Sequence, residues 1–147
     1  METVLRAGVA RFPLARSLGV WLVLVATESM HGIVRRLVLE PQLGDLRARQ
    51  TSVFTGAILI IVVYWLTLHW LGRQPVWRWW QLGLLWLLLT LLFEVGLGRA
   101  TGMSWDRIAS DFDPRRGGFL GFGMLVIALG PRILAARLGL IQDRRQL

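Results

Sequence analysis

The sequence predicts an all-α fold: an integral membrane four-helix bundle with a short interfacial helix in the third connection. Three observations carry this expectation. Four apolar segments alternate with short polar connections. Only 18% of the 147 residues are charged, against 54% hydrophobic, with mean hydropathy +0.53, a balance far from that of a soluble domain. Eight tryptophans gather mostly at the ends of the apolar segments, as an aromatic belt requires. The whole chain is read as one transmembrane domain.

A helix needs ~20 predominantly apolar residues to cross ~30 Å of hydrocarbon. The first span is expected over about 18–39. Residues 1–16, with Arg6, Arg11 and Arg16 set among apolar side chains, read as an interfacial lead-in to an uncleaved first span. The second span is expected over about 51–71 and the third over about 77–97. The fourth is less obvious, because the apolar run 119–130 is too short alone. Asp113-Pro114 offers an N-cap followed by proline at the first helical position. The fourth helix is therefore expected over about 114–140, kinked at Pro131.

Pro41 and Gly44 mark the first turn, and Pro75 lies in the second. The third connection, 98–113, is the longest. There Ser104 is placed to cap a helix whose Trp105, Ile108 and Phe112 recur at i, i+3 and i+7, which predicts a small helix lying at the membrane surface. Trp70, Trp77, Trp79 and Trp80 are expected at one interface and Trp105 at the other. His69, beside Trp70, is read as an interfacial anchor.

Net charge +8 comes from 17 arginines and no lysine. The arginines flank the spans instead of forming a basic face, so membrane topology accounts for them and nucleic acid is not an expected partner. With no cysteine, thiolate metal sites and a cysteine nucleophile are excluded. An even number of spans puts both termini on one side, here called side A. Nine arginines fall there and eight on the opposite side B, while seven of the nine acids fall on side B. This bias places both termini in the cytoplasm.

Candidate functional residues concentrate toward side B. Glu28, His31 and Arg35 are spaced i, i+3, i+7 on the first span and share one stripe. Ionisable groups at membrane depth are costly and face a protein interior or a water-filled cavity. Thr51 and Thr55 open the second span, Glu94 and Arg99 close the third, and Asp111, Asp113 and Arg116 precede the fourth. Because the spans alternate in direction, all ten residues belong to one leaflet, as a polar pocket open to side B requires. Arg35 and Glu94 are expected to share a network between the first and third spans.

Three uses fit such a cluster. It can be a structural network that fixes helix packing. It can bind or pass a solute, since carboxylate–histidine pairs relay protons and arginines attract anions. It can hold a metal, because Glu28-x-x-His31 has the spacing of di-iron carboxylate bundles, with Glu94 as the further ligand. The expected function is a binding, transport or accessory subunit that works in the bilayer, as a homo-oligomer or in a larger membrane complex; a metal-dependent intramembrane enzyme using Glu28, His31 and Glu94 is the alternative. No motif specifies a cofactor.

Glu28-x-x-His31-Gly32-x-x-Arg35, Pro41-x-x-Gly44-Asp45-x-Arg47-Ala48-Arg49-Gln50, and Gly98-Arg99 followed by Ser104-Trp105-x-Arg107 and Asp111-x-Asp113 resemble small uncharacterised four-span bacterial membrane proteins. The resemblance covers nearly the whole chain. It implies a four-helix fold and a bacterial inner membrane, and it carries no activity.

Overall fold

The computed structural model describes residues 12–142. Among these residues the chain is all-α. Most of the expected N-terminal lead-in, with Arg6 and Arg11, lies outside the described residues.

Four helical stretches are long and apolar enough to cross a membrane: Leu14–Leu43, Asp45–Leu71, Val76–Ala100 and Leu120–Arg137. The first comprises α1 (Leu14–Val34), a π-helical turn (Arg35–Leu39) and the single turn α2 (Glu40–Leu43). Proline explains the widened turn. Pro41 cannot donate to the carbonyl four residues back, and its ring crowds that carbonyl, so the backbone widens just before it. Gly44, at φ 77°, reverses the chain, and α3 (Asp45–Thr67) starts at once. It ends in a 3₁₀ turn, Leu68–Leu71. α4 (Val76–Ala100) follows Pro75, and α5 (Trp105–Phe112) is capped by Ser104, whose Oγ accepts from the Arg107 N–H at 3.2 Å.

The start of the last helix differs from the sequence expectation. Asp113 does act as a cap, accepting from the Arg115 N–H at 2.9 Å. The capped element, however, is a 3₁₀ turn, Pro114–Arg116, which Gly117 ends at φ 79°. Gly118 then passes against the backbone of Ser110 and Asp111, where a Cβ would collide. α6 begins only at Leu120 and runs to Arg137.

α3 and α6 lie against each other at the centre, α1 packs on α3, and α4 packs on α6. α1 touches α4 sparsely. The first and last described residues and the α3–α4 turn gather at side A. Arg16 donates to the Trp70 carbonyl at 3.1 Å, and Gln74 forms a bridge with Ile141. The core there contains Val20, Tyr64, Trp79, Leu82 and Trp86, all fully buried. Trp79 is thus a core residue and not part of the aromatic belt, unlike the exposed Trp70, Trp77 and Trp80. His69 is exposed.

Pro131 sits inside α6 and leaves the Ile127 carbonyl without its helical donor. Tyr64 of α3 supplies the replacement, its hydroxyl donating to that carbonyl at 3.0 Å. Gly130 lets the ring come this close, since a Cβ would meet Tyr64 Cε2 at 2.6 Å.

Candidate functional site

α1 and α4 are joined by two hydrogen bonds near side A. Trp86 Nε1 donates to the Ser17 carbonyl at 2.9 Å, and Trp21 Nε1 donates to Thr90 Oγ1 at 3.1 Å. Beyond this level the two helices diverge. The gap is a cleft of about 560 Å³ with walls on α1 and α4 and its back on α3 and α6.

Glu28, His31, Arg35, Glu94 and Asp111 all line this cleft. The helical stripe explains the first three: in a helix each side chain leans toward the N-terminus, so Arg35 leans back over His31 and Glu28. Gly56 of α3 makes room for the carboxylate, because a Cβ there would lie 2.9 Å from Glu28 Oε2.

His31 Nε2 lies 2.8 Å from Thr55 Oγ1. The Thr55 hydroxyl reaches the Thr51 and Ser52 carbonyls at 3.3 Å, as a serine or threonine in a helix commonly does. The direction of the His31–Thr55 bond follows the imidazole tautomer. His31 then turns Nδ1 toward Glu28 Oε2 at 3.7 Å, too long for a direct hydrogen bond. Thr51 contributes only its backbone carbonyl.

The other expected residues lie elsewhere. Arg99 donates to the Met103 carbonyl at 2.6 Å and stacks over the Trp105 ring at 4.9 Å. Asp113 caps the 3₁₀ turn before α6. Arg116 forms a two-bond pair with Asp106 at 2.9 and 3.0 Å. In α5 itself, Ile108 faces Gly98 and Phe112 packs on the core, while Trp105 is exposed.

Arg35 and Glu94 do not pair. Neither closes a hydrogen bond or an ion pair among the described residues, although Glu94 feels the charge of Arg35. Deeper in, Glu28 Oε1 and Ser52 Oγ are buried without a partner. The cleft therefore holds a guanidinium, two carboxylates and a hydroxyl with unfilled hydrogen-bonding capacity.

The side-B end is held by a four-membered ionic ring. Arg49 pairs with Asp111 and, at 3.0 Å, with Asp45. Arg107 bonds both Asp45 oxygens at 3.2 Å and lies 3.5 Å from Asp111. This ring ties the first turn of α3 to α5. Sequence reasoning selected Asp111 alone from it. The i, i+4 spacings of Asp45 with Arg49 and of Arg107 with Asp111 were legible signals, but nothing in the sequence joined the two pairs. Ser52 was missed as well; it falls one residue after Thr51, on the face of α3 that turns toward α1.

The expected metal set does not assemble: among the described residues no three His, Cys, Asp or Glu side chains converge to hold an ion, Glu28, His31 and Glu94 included. No family model matches the chain, no curated protein matches it, and no solved structure matches it. The molecule is a small multi-pass membrane protein by its four apolar helices, and its chemistry has to be argued from the cleft.

Proposed function

We propose that the protein is a ligand-binding protein of the bacterial inner membrane, with the α1–α4 cleft as its binding site. One observation carries this reading: Arg35, Glu94, Glu28 Oε1 and Ser52 Oγ face a common cavity and have no partner among the described residues. A network serving helix packing alone would satisfy its members against each other, because unpaired polar groups at this depth are costly. In the ionic ring of Asp45, Arg49, Arg107 and Asp111 every charge meets its opposite, although Arg49 Nε is itself buried without a hydrogen-bond partner. A polar ligand or water completes what the cleft leaves open. Binding is the step shared by transport and accessory roles, and a homo-oligomer or larger complex is compatible with either.

The test is to fill the cleft without disturbing the helices. Gly123 lines the cavity, and a Cβ there meets nothing within 4 Å. Gly123→Leu should leave the melting temperature in detergent within ~2 °C of wild type, since it removes no contact. It should abolish the masses that co-purify with the wild-type chain in native mass spectrometry. A variant that keeps the same bound masses would sink the reading. We further propose that both termini are cytoplasmic; activity reporters fused after Leu147 and within the third connection should then report opposite compartments.

A further inference from the structure

The unpaired groups of the cleft carry both signs, and this restricts the ligand. We infer that the cleft holds the zwitterionic headgroup of a membrane lipid, its phosphate against Arg35 and its ammonium against Glu94. This rests on the binding role proposed for the cleft and adds the ligand's chemical class.

Arg35 and Glu94 line one cavity, lie too far apart to pair, and are near enough for Glu94 to feel the charge of Arg35. A headgroup with a phosphate and an ammonium carries a partner for each and compensates both residues together. A simple anion would satisfy Arg35 but leave Glu94 uncompensated and come under repulsion from Glu28. A simple cation would leave Arg35 without a hydrogen-bond partner. Arginine matches phosphate through its planar fork of donors. An ammonium brings three donors and no acceptor, and the partnerless atoms toward the interior, Glu28 Oε1 and Ser52 Oγ, are acceptors.

The position of the cleft argues for a lipid over a soluble zwitterion. Among the described residues, α1 and α4 are bonded to each other only near side A, so the cleft is open sideways between two spans. Its outer walls include Ile33 and Leu97, both about half exposed (50% and 47%), and its back includes Ile60, Met124 and Ile127. Apolar walls leading to charged groups suit a molecule whose chains remain in the bilayer.

The experiment is native mass spectrometry of the purified full chain, titrated with four probes: phosphatidylethanolamine, phosphatidylglycerol, diacylglycerol and free phosphoethanolamine. The expected order is phosphatidylethanolamine well above phosphatidylglycerol, with diacylglycerol and free phosphoethanolamine negligible. Arg35→Gln and Glu94→Gln should each weaken phosphatidylethanolamine about tenfold or more, as loss of a charged hydrogen-bond partner does. Arg116→Gln, outside the cleft, should change nothing. Ser52→Ala, which removes a hydroxyl that bonds nothing among the described residues, should weaken the lipid with folding intact, and it supplies the test if a charge variant misfolds. Equal binding of phosphatidylglycerol, reduced by Arg35→Gln but not by Glu94→Gln, would overturn the zwitterion while leaving the cleft a binding site. Free phosphoethanolamine competing at the lipid's own concentration would overturn the lipid as source. Retention of every probe by all cleft variants would overturn the binding reading as well.

Discussion

At side A the helices meet through groups that are mostly paired; at side B two of them part around groups that are not. The side-A half is closed by aromatic side chains that bury their rings against other helices. Tyr64 stacks on Trp86 at 5.5 Å, and each sends its polar hydrogen to a backbone carbonyl across the bundle. Trp79 Nε1 and Arg132 Nε stand apart, buried there without a hydrogen-bond partner. The side-B half has the same helices and the same kind of apolar backing, but an arginine and a carboxylate that never meet. Both halves lie in the spans, so both face the same cost for an unsatisfied polar group. The difference lies in what surrounds the unpaired groups: at side A they are buried donors, whereas the side-B guanidinium and carboxylates surround a cavity.

Two glycines allow the sharpest test of that difference. Gly83 on α4 sits where a Cβ would run into the Ala128 carbonyl of α6, whereas Gly123 on α6 faces open cleft. Close backbone approach through small residues is what holds helices together in lipid. Gly83→Leu should therefore destabilise the protein by about 3 kcal/mol or more, the upper range for overpacking. The same substitution at Gly123 should cost less than ~0.5 kcal/mol, as substitutions away from packed features do. Unfolding in a mild detergent against added denaturing detergent measures both. Equal costs at the two positions would mean that the cleft is closed in solution, and the contrast between the halves would fail.

A second test concerns the Tyr64 hydroxyl. Tyr64→Phe keeps the ring and strips the Ile127 carbonyl of its donor, which should cost about 1–3 kcal/mol for a buried acceptor left unsatisfied. Pro131→Ala returns an N–H to that carbonyl. In the Pro131→Ala background, Tyr64→Phe should accordingly cost less than in wild type, and the difference is the coupling energy. Additive effects would show that Tyr64 does not compensate the proline. Ser52→Ala offers the side-B counterpart: it too removes a hydroxyl, but one without a partner, and stability should not fall.

Hydropathy made the four spans legible because a membrane helix must satisfy its own backbone and be apolar over a fixed length. The i, i+3, i+7 spacing likewise made the Glu28–His31–Arg35 stripe legible, since one helix fixes those relations by itself. What failed depended on relations between helices or on a turn. Arg35 and Glu94 looked like a pair because both needed one, yet the bonds between α1 and α4 are made by Trp21 and Trp86, and the last of them, at Thr90, comes one turn before Glu94. Trp79 looked like an interfacial anchor beside Trp77 and Trp80, but helical rotation turns it into the core. The Asp113-Pro114 signal was real, and only the φ of Gly117 shortened its helix to a single turn. Nothing in the sequence tied Gly56 to Glu28, because the reason for it is a carboxylate on another helix.

The smallest expected effect lies outside the spans, in the pair of Asp106 and Arg116. Both side chains are exposed, and the two-bond contact bridges α5 to the turn before α6. The hydrogen bond from Arg116, reinforced by its charge, holds the Asp106 carboxyl below the usual aspartate range, and the same bond holds the guanidinium above its own. The sign of the linkage follows from Asp106. A carboxyl whose folded-state value is depressed adds stability that is fully present above the unfolded value and is lost as pH falls through the folded one. At neutral pH the pair is therefore intact, and acid removes it only below the ordinary aspartate range. Water screens exposed pairs and leaves them little net contribution, so global melting should barely change. The local signature should be visible by amide exchange at positions 108–112 of α5: protection in wild type should decline as pH falls below the ordinary aspartate range, after correction for intrinsic exchange. In Arg116→Gln, protection should be lower at the outset and flat over the same fall in pH. An identical decline in both proteins would show that the Asp106–Arg116 pair does not hold this end of α5.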